Sequence, residues 1–400
     1  MRTWEEVRED FPILKEKIHG KDLIYLDNAA TTQLPQQVLD CFVEHYTKYN
    51  ANVHRGIHYL SEQSTMHMEA VRDRLKAFLH AEDQGEIIFT SGATDSANLV
   101  AQSFLRHVLQ PGDVVLSTEL EHHANFVVWQ QVCQECGAEF RMIPTVDGEL
   151  NMDAAQRMLS DKVKLLAVTA VSNVTGTVVD IETLIAWAKE YEIPVYIDAA
   201  QAVRHRIFDL AELQCDFLGF SAHKMMGPTG VGCLFVHKKW LNAMQPYRYG
   251  GGMIDIVTEE KTTFAELPAR LEAGTPNYSG VITWGAALDY LMDIGIERMA
   301  SYEEVLAAIP QVNILGHPKQ RAGCISIQID GVHPYDFASM IDKYGVAVRT
   351  GSMCAQPIVN KMGLDTVIRI SPAFYNTMEE MEKLGEYTEK VIAFFERIKR

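Results

Sequence analysis

The chain reads as an α/β protein: a large unit on a mostly parallel seven-stranded sheet covered by helices, followed by a smaller α+β unit. Three observations carry this. Seven short apolar runs alternate with amphipathic helical patterns between residues 86 and 236, the signature of a sheet with both faces covered. The 400 residues are 47% hydrophobic and 22% charged, ordinary globular usage and enough for a core that needs no staples. No apolar run reaches the roughly 18 residues of a membrane span, and the seven cysteines are scattered rather than set out as a disulfide framework.

In chain order, strands are expected at 86–90, 113–117, 140–144, 165–169, 195–197, 217–220 and 232–236. Helical patterns fall between them at 95–109, 124–136, 152–159 and 181–191. A further strand at 324–329, a helix at 335–344, a strand at 346–349 and a last helix from about Thr377 make up the smaller unit, with Asn376 expected as the N-cap of that helix. The boundary is expected near 285–297. This gives one domain at 21–290 and a second from 1–20 with 291–400, which carries a cysteine loop.

Charge narrows the function. Lys and Arg number 36 against 53 Asp and Glu, a net of −17, and no basic run exists to neutralise phosphates, so nucleic acid is not an expected partner. The N-terminal stretch holds Trp4-Glu5-Glu6 and has no basic segment leading into an apolar one. A secretory signal is therefore not expected, and the expected compartment is the cytoplasm, where the cysteines are thiols.

Several short motifs could carry chemistry. Ser221-Ala222-His223-Lys224 follows an apolar strand, placing a lysine at the carboxyl end of the sheet, where open α/β sheets bind ligands. Alone, Lys224 reads more readily as a surface-loop lysine. Asp198 ends the strand before, and Gln201 follows it. Asp198 alone is also a plausible helix cap. Together, a lysine able to form a Schiff base and an aspartate able to pair a pyridinium nitrogen are what pyridoxal 5'-phosphate chemistry requires. Thr90-Ser91-Gly92-Ala93-Thr94-Asp95 joins a strand to a helix and suits a phosphate, although such turns also cap helices with no ligand.

Two histidines in Glu121-His122-His123-Ala124-Asn125 fit ring stacking or base chemistry better than a metal, because chain neighbours rarely point at one ion. No metal site is expected, and the lone Cys133-Gln134-Glu135-Cys136 does not make one. Cys354 sits in a polar loop, Arg349-Thr350-Gly351-Ser352-Met353-Cys354-Ala355-Gln356-Pro357, where Arg349 could favour a thiolate. Cys41, Cys215, Cys233 and Cys324 lie in apolar patterns and are expected in the core.

Taken together, the motifs resemble the cysteine desulfurases of the class V aminotransferase group, pyridoxal-phosphate fold type I, and most closely their SufS-like, selenocysteine-lyase-like branch. The resemblance runs from Tyr25-Leu26-Asp27-Asn28-Ala29-Ala30-Thr31-Thr32 to Phe374-Tyr375-Asn376-Thr377. Between these, Asn52-Val53-His54-Arg55-Gly56, the Glu-His-His motif, Val171-Ser172-Asn173, Gly250-Gly251-Gly252 and Glu272-Ala273-Gly274-Thr275-Pro276-Asn277 match in order.

The resemblance implies that Lys224 holds the cofactor, Asp198 pairs its ring nitrogen and Gln201 bonds its phenolate oxygen. It implies that His122 stacks on the ring, and that Thr94, Ser221 and His223 bind the phosphate with Thr275 from the other subunit of a homodimer. Asn173 and Arg369, helped by Arg349, would hold the substrate carboxylate. Cys354 would take sulfur from L-cysteine as a persulfide and pass it to a SufE-like or SufU-like acceptor and a cluster scaffold, for iron–sulfur cluster assembly.

The short interval from Arg349 to Gly363 favours the branch in which the acceptor comes to the cysteine. Ser352-Met353 replaces the two histidines common there, and the stretch from Ile296 to Val312 is short for the family. Both differences bear on the acceptor surface. The rival enzymes are a selenocysteine lyase or another class V enzyme such as an epimerase, which has no use for a loop thiol. A non-catalytic scaffold would be expected to have lost Lys224, Asp198 or Cys354.

Overall fold

The computed structural model describes residues 2–306 and 313–398. The central sheet holds β1 (Gly85–Thr90), β2 (Val114–Thr118), β3 (Glu139–Ile143), β4 (Val163–Thr169), β5 (Val195–Asp198), β6 (Phe217–Ser221) and β7 (Gly232–His237). Their order is β1-β7-β6-β5-β4-β2-β3. All neighbours are parallel except β7, which runs antiparallel to both β6 and β1. The connection from β6 to β7, residues 222–231, is too short for a parallel crossover helix, so the chain turns back.

Apolar residues run continuously along these strands because both faces are covered. Ile87, Leu116, Leu166, Ile197 and Leu218 belong to one buried cluster. Their chain neighbours Ile88, Val115, Leu165, Tyr196 and Phe217 belong to another. The two-residue period of a strand sends successive side chains to opposite faces, so each run feeds both cores.

One face is covered by α1 (Tyr59–Phe78), α5 (Ile181–Glu190) and α6 (Tyr278–Ile294), through Val71, Leu184, Trp284 and Leu288. The other carries α2 (Ala93–Val100) and α3 (Val127–Cys136), through Leu99, Val100, Trp129 and Val132. Helix α4 (Met152–Met158) lies between α3 and α5 in sequence.

A second, antiparallel sheet holds β8 (Asn313–Ile314), β9 (Ile325–Gln328), β10 (Arg349–Gly351) and β11 (Val367–Ile370), in the order β8-β9-β11-β10. Around it lie α7 (Ile296–Leu306), α8 (Pro334–Ile341), α9 (Gln356–Lys361) and α10 (Met378–Ile398). Ile325, Ile327, Phe337, Ile368, Leu384 and Val391 form its own core. The N-terminal segment packs on the C-terminal part of the chain: Trp4 stacks on Tyr302, and Arg8 donates to the Tyr375 carbonyl and to Glu380.

Three details differ from the sequence reading. The strand expected at 346–349 is split: Val346–Ala347 pairs with Ile24–Tyr25, while Arg349 starts β10 in the other sheet. The cap of α10 is Thr377, not Asn376. Thr377 Oγ1 accepts from the Glu380 N–H, whose carboxylate accepts from the Thr377 N–H, a reciprocal capping box. Asn376 is buried and ties Ala373 to Tyr25 instead. Cys41 is only half-buried, whereas Cys215, Cys233 and Cys324 are core. The short stretch from Ile296 begins as α7, and its remainder, 307–312, lies outside the described residues.

Candidate active site

The site is built on strand ends. β5 and β6 are parallel neighbours, with Asp198 opposite Gly219, so both strands release their chains at the same edge of the sheet. β6 ends at Ser221, and a tight turn over Ala222–Lys224 delivers the lysine. That turn is gripped from far away in sequence. The His223 carbonyl accepts from the Thr32 N–H at 2.9 Å and from the Thr31 and Thr32 hydroxyls at 3.1 Å each. The Met226 N–H donates to Thr32 Oγ1 at 2.7 Å.

Electrostatics here follow burial. Burial pulls the Lys224 ammonium down to about 8, with Asp198 opposing the shift. Burial pushes Asp198 up, opposed by Lys224 and by the Ala200 N–H at 2.9 Å. Burial, then the Lys224 charge, lowers His122 to about 3 and His223 to about 4, so both rings are neutral at physiological pH.

Beside this pair, the turn after β1 makes a cradle. Gly92 has φ 147°, and a Cβ there would meet Ser221 Oγ at 3.0 Å, so glycine is needed for the close approach. The Ala93 N–H at the start of α2 donates to Ser221 Oγ at 2.8 Å. The helix N-terminus, Thr94, Ser221 and His223 line a concave niche suited to an anion.

Across the cavity, Arg369 is buried in β11. Its Nη1 donates to the Asn173 carbonyl at 3.0 Å and its Nη2 to Asp27 at 3.3 Å, while its Nε has no partner among the described residues. Arg349 forks onto Asp27 through Nε (3.1 Å to each oxygen) and Nη2 (2.9 Å). Asn173 Nδ2 donates to the Met353 carbonyl at 2.7 Å, and its Oδ1 is unpartnered among the described residues. Cys354 is exposed, next to the buried Met353.

One cavity of about 570 Å³ is lined by Lys224, Asp198, Gln201, His122, Thr94, Ser221, His223, Asn173, Arg349, Arg369 and Cys354. Residues spread from 94 to 369 in sequence thus meet in one place. Thr275 is not among them within this chain; it lines a separate cavity with Gly230, Glu272 and Asn277. A somewhat larger cavity of about 640 Å³, bordered by Glu149, Asp180, Glu182, Arg206 and Lys319, contains none of the expected residues.

Sequence reasoning gave no role to several residues that shape the site. Glu121, the residue just before the histidine pair, is fully buried. It accepts from Thr118 Oγ1 (2.6 Å), Asn125 Nδ2 (2.6 Å) and the Thr169 N–H (3.0 Å). Burial pushes it up to about 8 against those three bonds. Asp27, Thr31 and Thr32 anchor the arginines and the lysine turn. Only a carboxylate next to two histidines at a strand end hinted at Glu121. Nothing local marks Thr31 or Thr32, whose partner lies almost two hundred positions away.

Residues 24–384 match the class V aminotransferase family. The chain is 42% identical to the cysteine desulfurase of Synechococcus elongatus over 95% of its own length, and spans 62% of that relative. It is 44% identical to the cysteine desulfurase of Serratia proteamaculans, covering 95% of this chain and 96% of the relative. The apo structure of the cysteine desulfurase from Thermococcus onnurineus NA1 superposes with a TM-score of 0.92 at 34% identity, covering 98% of this chain and 99% of that one. The chain belongs to the class V aminotransferase family. Within that family it stands with the cysteine desulfurases.

Proposed function

We propose that the chain uses pyridoxal 5'-phosphate to remove sulfur from L-cysteine, releasing L-alanine and leaving a persulfide on Cys354. The observation that carries this is the shared cavity: a buried Lys224–Asp198 pair and an exposed cysteine border the same space.

The residues present fit the cofactor. Lys224 and Asp198 supply the amine and the carboxylate, and the Gly92–Ser221 cradle suits a phosphate. Lys224 would hold the group, Asp198 its ring nitrogen, Gln201 its phenolate oxygen, and His122 would stack on the ring. Thr94, Ser221 and His223 would hold the phosphate, with Thr275 of a second copy. When bound, the cofactor supplies an electron sink beside the substrate α-carbon.

This chain's own groups do the rest. Lys224 Nζ, held near neutrality by burial, takes and returns protons at the substrate carbons. Asn173, Arg349 and Arg369 orient the substrate carboxylate, and the unpartnered Arg369 Nε is a donor waiting for one. The Cys354 thiolate attacks the substrate sulfur. A Sγ–S bond forms as the substrate C–S bond breaks, and the carbon side is protonated to alanine. The persulfide sulfur then passes to a SufE-like or SufU-like acceptor and a scaffold for iron–sulfur clusters.

In this reading the cavity lies between the units 21–290 and 1–20 with 291–400, and the chain is a cytoplasmic homodimer. Exposed apolar side chains support the dimer: Phe42, Val43, Tyr46, Ile57 and Tyr59 on one stretch, Tyr249, Ile256 and Val257 on another. Among the described residues, no helix is long and apolar enough to cross a membrane.

The test is to add L-cysteine to the cofactor-loaded protein, assay alanine and sulfide in the presence of reductant, and map the persulfide by mass spectrometry in a parallel sample without it. Equal alanine and sulfide with a persulfide on Cys354 is the expected result. Alanine from L-selenocysteine but none from L-cysteine would move the chain to the selenocysteine lyases.

A further inference from the structure

Helix α9, just after Cys354, has a poor start by its own sequence. Ala355 stands at its N-cap and offers no side-chain acceptor. Pro357 in its first turn has no N–H of its own. The Gln356 N–H is satisfied from the large sheet's side of the cavity: it donates to His123 Nε2 at 3.2 Å. The backbone N–H of the same histidine donates to the Cys354 carbonyl at 2.6 Å. One residue therefore holds the loop on both sides of the Cys354-Ala355 bond. From the other flank, Asn173 holds the Met353 carbonyl.

The loop needs such a hold. Met353 and Cys354 have φ of 54° and 52°, consecutive non-glycine residues in the left-handed region. L-residues stay there only when their surroundings impose it. An imidazole nitrogen that accepts a hydrogen bond must be unprotonated, so this ring is neutral with its proton on Nδ1. Burial lowers the His123 pKa in the same direction.

We propose that His123 is a positioning residue for sulfur transfer: its imidazole supplies the cap that α9 lacks, and so keeps Cys354 in the pose that lines the Lys224 cavity. His122, one residue earlier, faces the cofactor position, so the Glu-His-His motif serves both ends of the reaction. This rests on the reading of Cys354 as sulfur acceptor.

The test uses the cofactor-loaded enzyme with His123→Ala and His123→Gln, since a glutamine oxygen reaches as far as Nε2 and can accept the same bond. Loss of one capping bond shifts loop opening about fivefold. For His123→Ala we expect about fivefold faster alkylation of Cys354 by iodoacetamide and faster hydrogen exchange over residues 351–357. Alanine formation should fall in kcat with KM for L-cysteine little changed, and the cofactor absorption should stay in place. His123→Gln should restore alkylation and exchange to near the parent values. Parent-like alkylation and exchange in His123→Ala would overturn the proposal, as would a Gln variant as loose as the Ala one. A mass map of the persulfide in the same samples separates the two readings. A persulfide on another residue defeats the role of Cys354, whereas one on Cys354 with an unloosened loop defeats only His123.

Discussion

The Lys224 end and the Cys354 end of the cavity are built by opposite means. Lys224 leaves a fully buried strand, its turn is held by three hydrogen bonds to one carbonyl, and its neighbours Asp198 and Ser221 are themselves buried. Cys354 is exposed, sits in a backbone conformation its residue type disfavours, and is held by single bonds reaching across from His123 and Asn173. A group that must keep a shifted pKa needs dry, rigid surroundings. In the proposed reaction Cys354 hands sulfur to an acceptor, which needs access to solvent. The molecule separates these demands by placing one on a sheet and the other on a loop.

The largest expected effect breaks that division directly. Lys224→Ala should abolish the visible absorption of bound cofactor and slow L-cysteine turnover by about 10³-fold or more. Cys354→Ala should keep the absorption and stop persulfide transfer. Loss of the absorption in both variants would show that the two ends are not separable.

Next is the buried carboxylate just before the histidines. Glu121→Ala strands the Thr118, Asn125 and Thr169 donors in the core, and should cost about 3 kcal/mol in urea unfolding. Ser352→Ala, in the cysteine loop, should stay within about 0.5 kcal/mol. Equal losses would contradict the contrast between sheet and loop.

Acid sharpens it further. His122 and His223, at about 3 and about 4 when folded, refuse protons that the unfolded chain takes up below about 6.5. The stability these two rings contribute is therefore lost as pH falls from about 6.5 toward 4, by at most about 1.4 kcal/mol per pH unit for each ring. Buried His45 and the His205 side chain, itself shut off from solvent, are shifted in the same direction and add to the loss. Glu121, held at about 8, takes up its proton on folding and opposes this loss. The rings are therefore read directly: the imidazole nitrogen NMR shifts of His122 and His223 should stay those of neutral rings from pH 7 to pH 5, and a titration in that range would refute the neutral-ring assignment.

A further effect is expected at the proposed carboxylate site. Arg369→Lys replaces a fork with a point charge and should raise KM for L-cysteine about tenfold, with kcat less changed. A fall in kcat at constant KM would place Arg369 elsewhere in the reaction.

Much of the fold was legible because the sheet strands are short, apolar and regularly spaced. Where a local pattern had two outcomes, sequence reasoning missed. Residues 346–349 read as one strand, yet Val346–Ala347 and Arg349 join different sheets. Asn376 and Thr377 are both good caps, and only the reach of Glu380 decides between them. In the site, Lys224 and Asp198 were legible from their places at strand ends. Glu121 and Thr32 were not, since what gives them a role is a partner distant in the chain or a burial that no local pattern reports.

By itself the sequence determined the period-two strands that feed two cores, the glycine at position 92, and which residue types were on hand for chemistry. These follow from local sterics and from the chemistry of side chains, which travel with the residue. Only the tertiary structure decided that Asp27 would hold two arginines, that Thr31 and Thr32 would clamp the lysine turn, and that Cys354 would be held from His123. Each of those is a hydrogen bond between groups far apart in the chain. Such bonds depend on where packed elements bring their ends, and the sheet register and the two cores set that together.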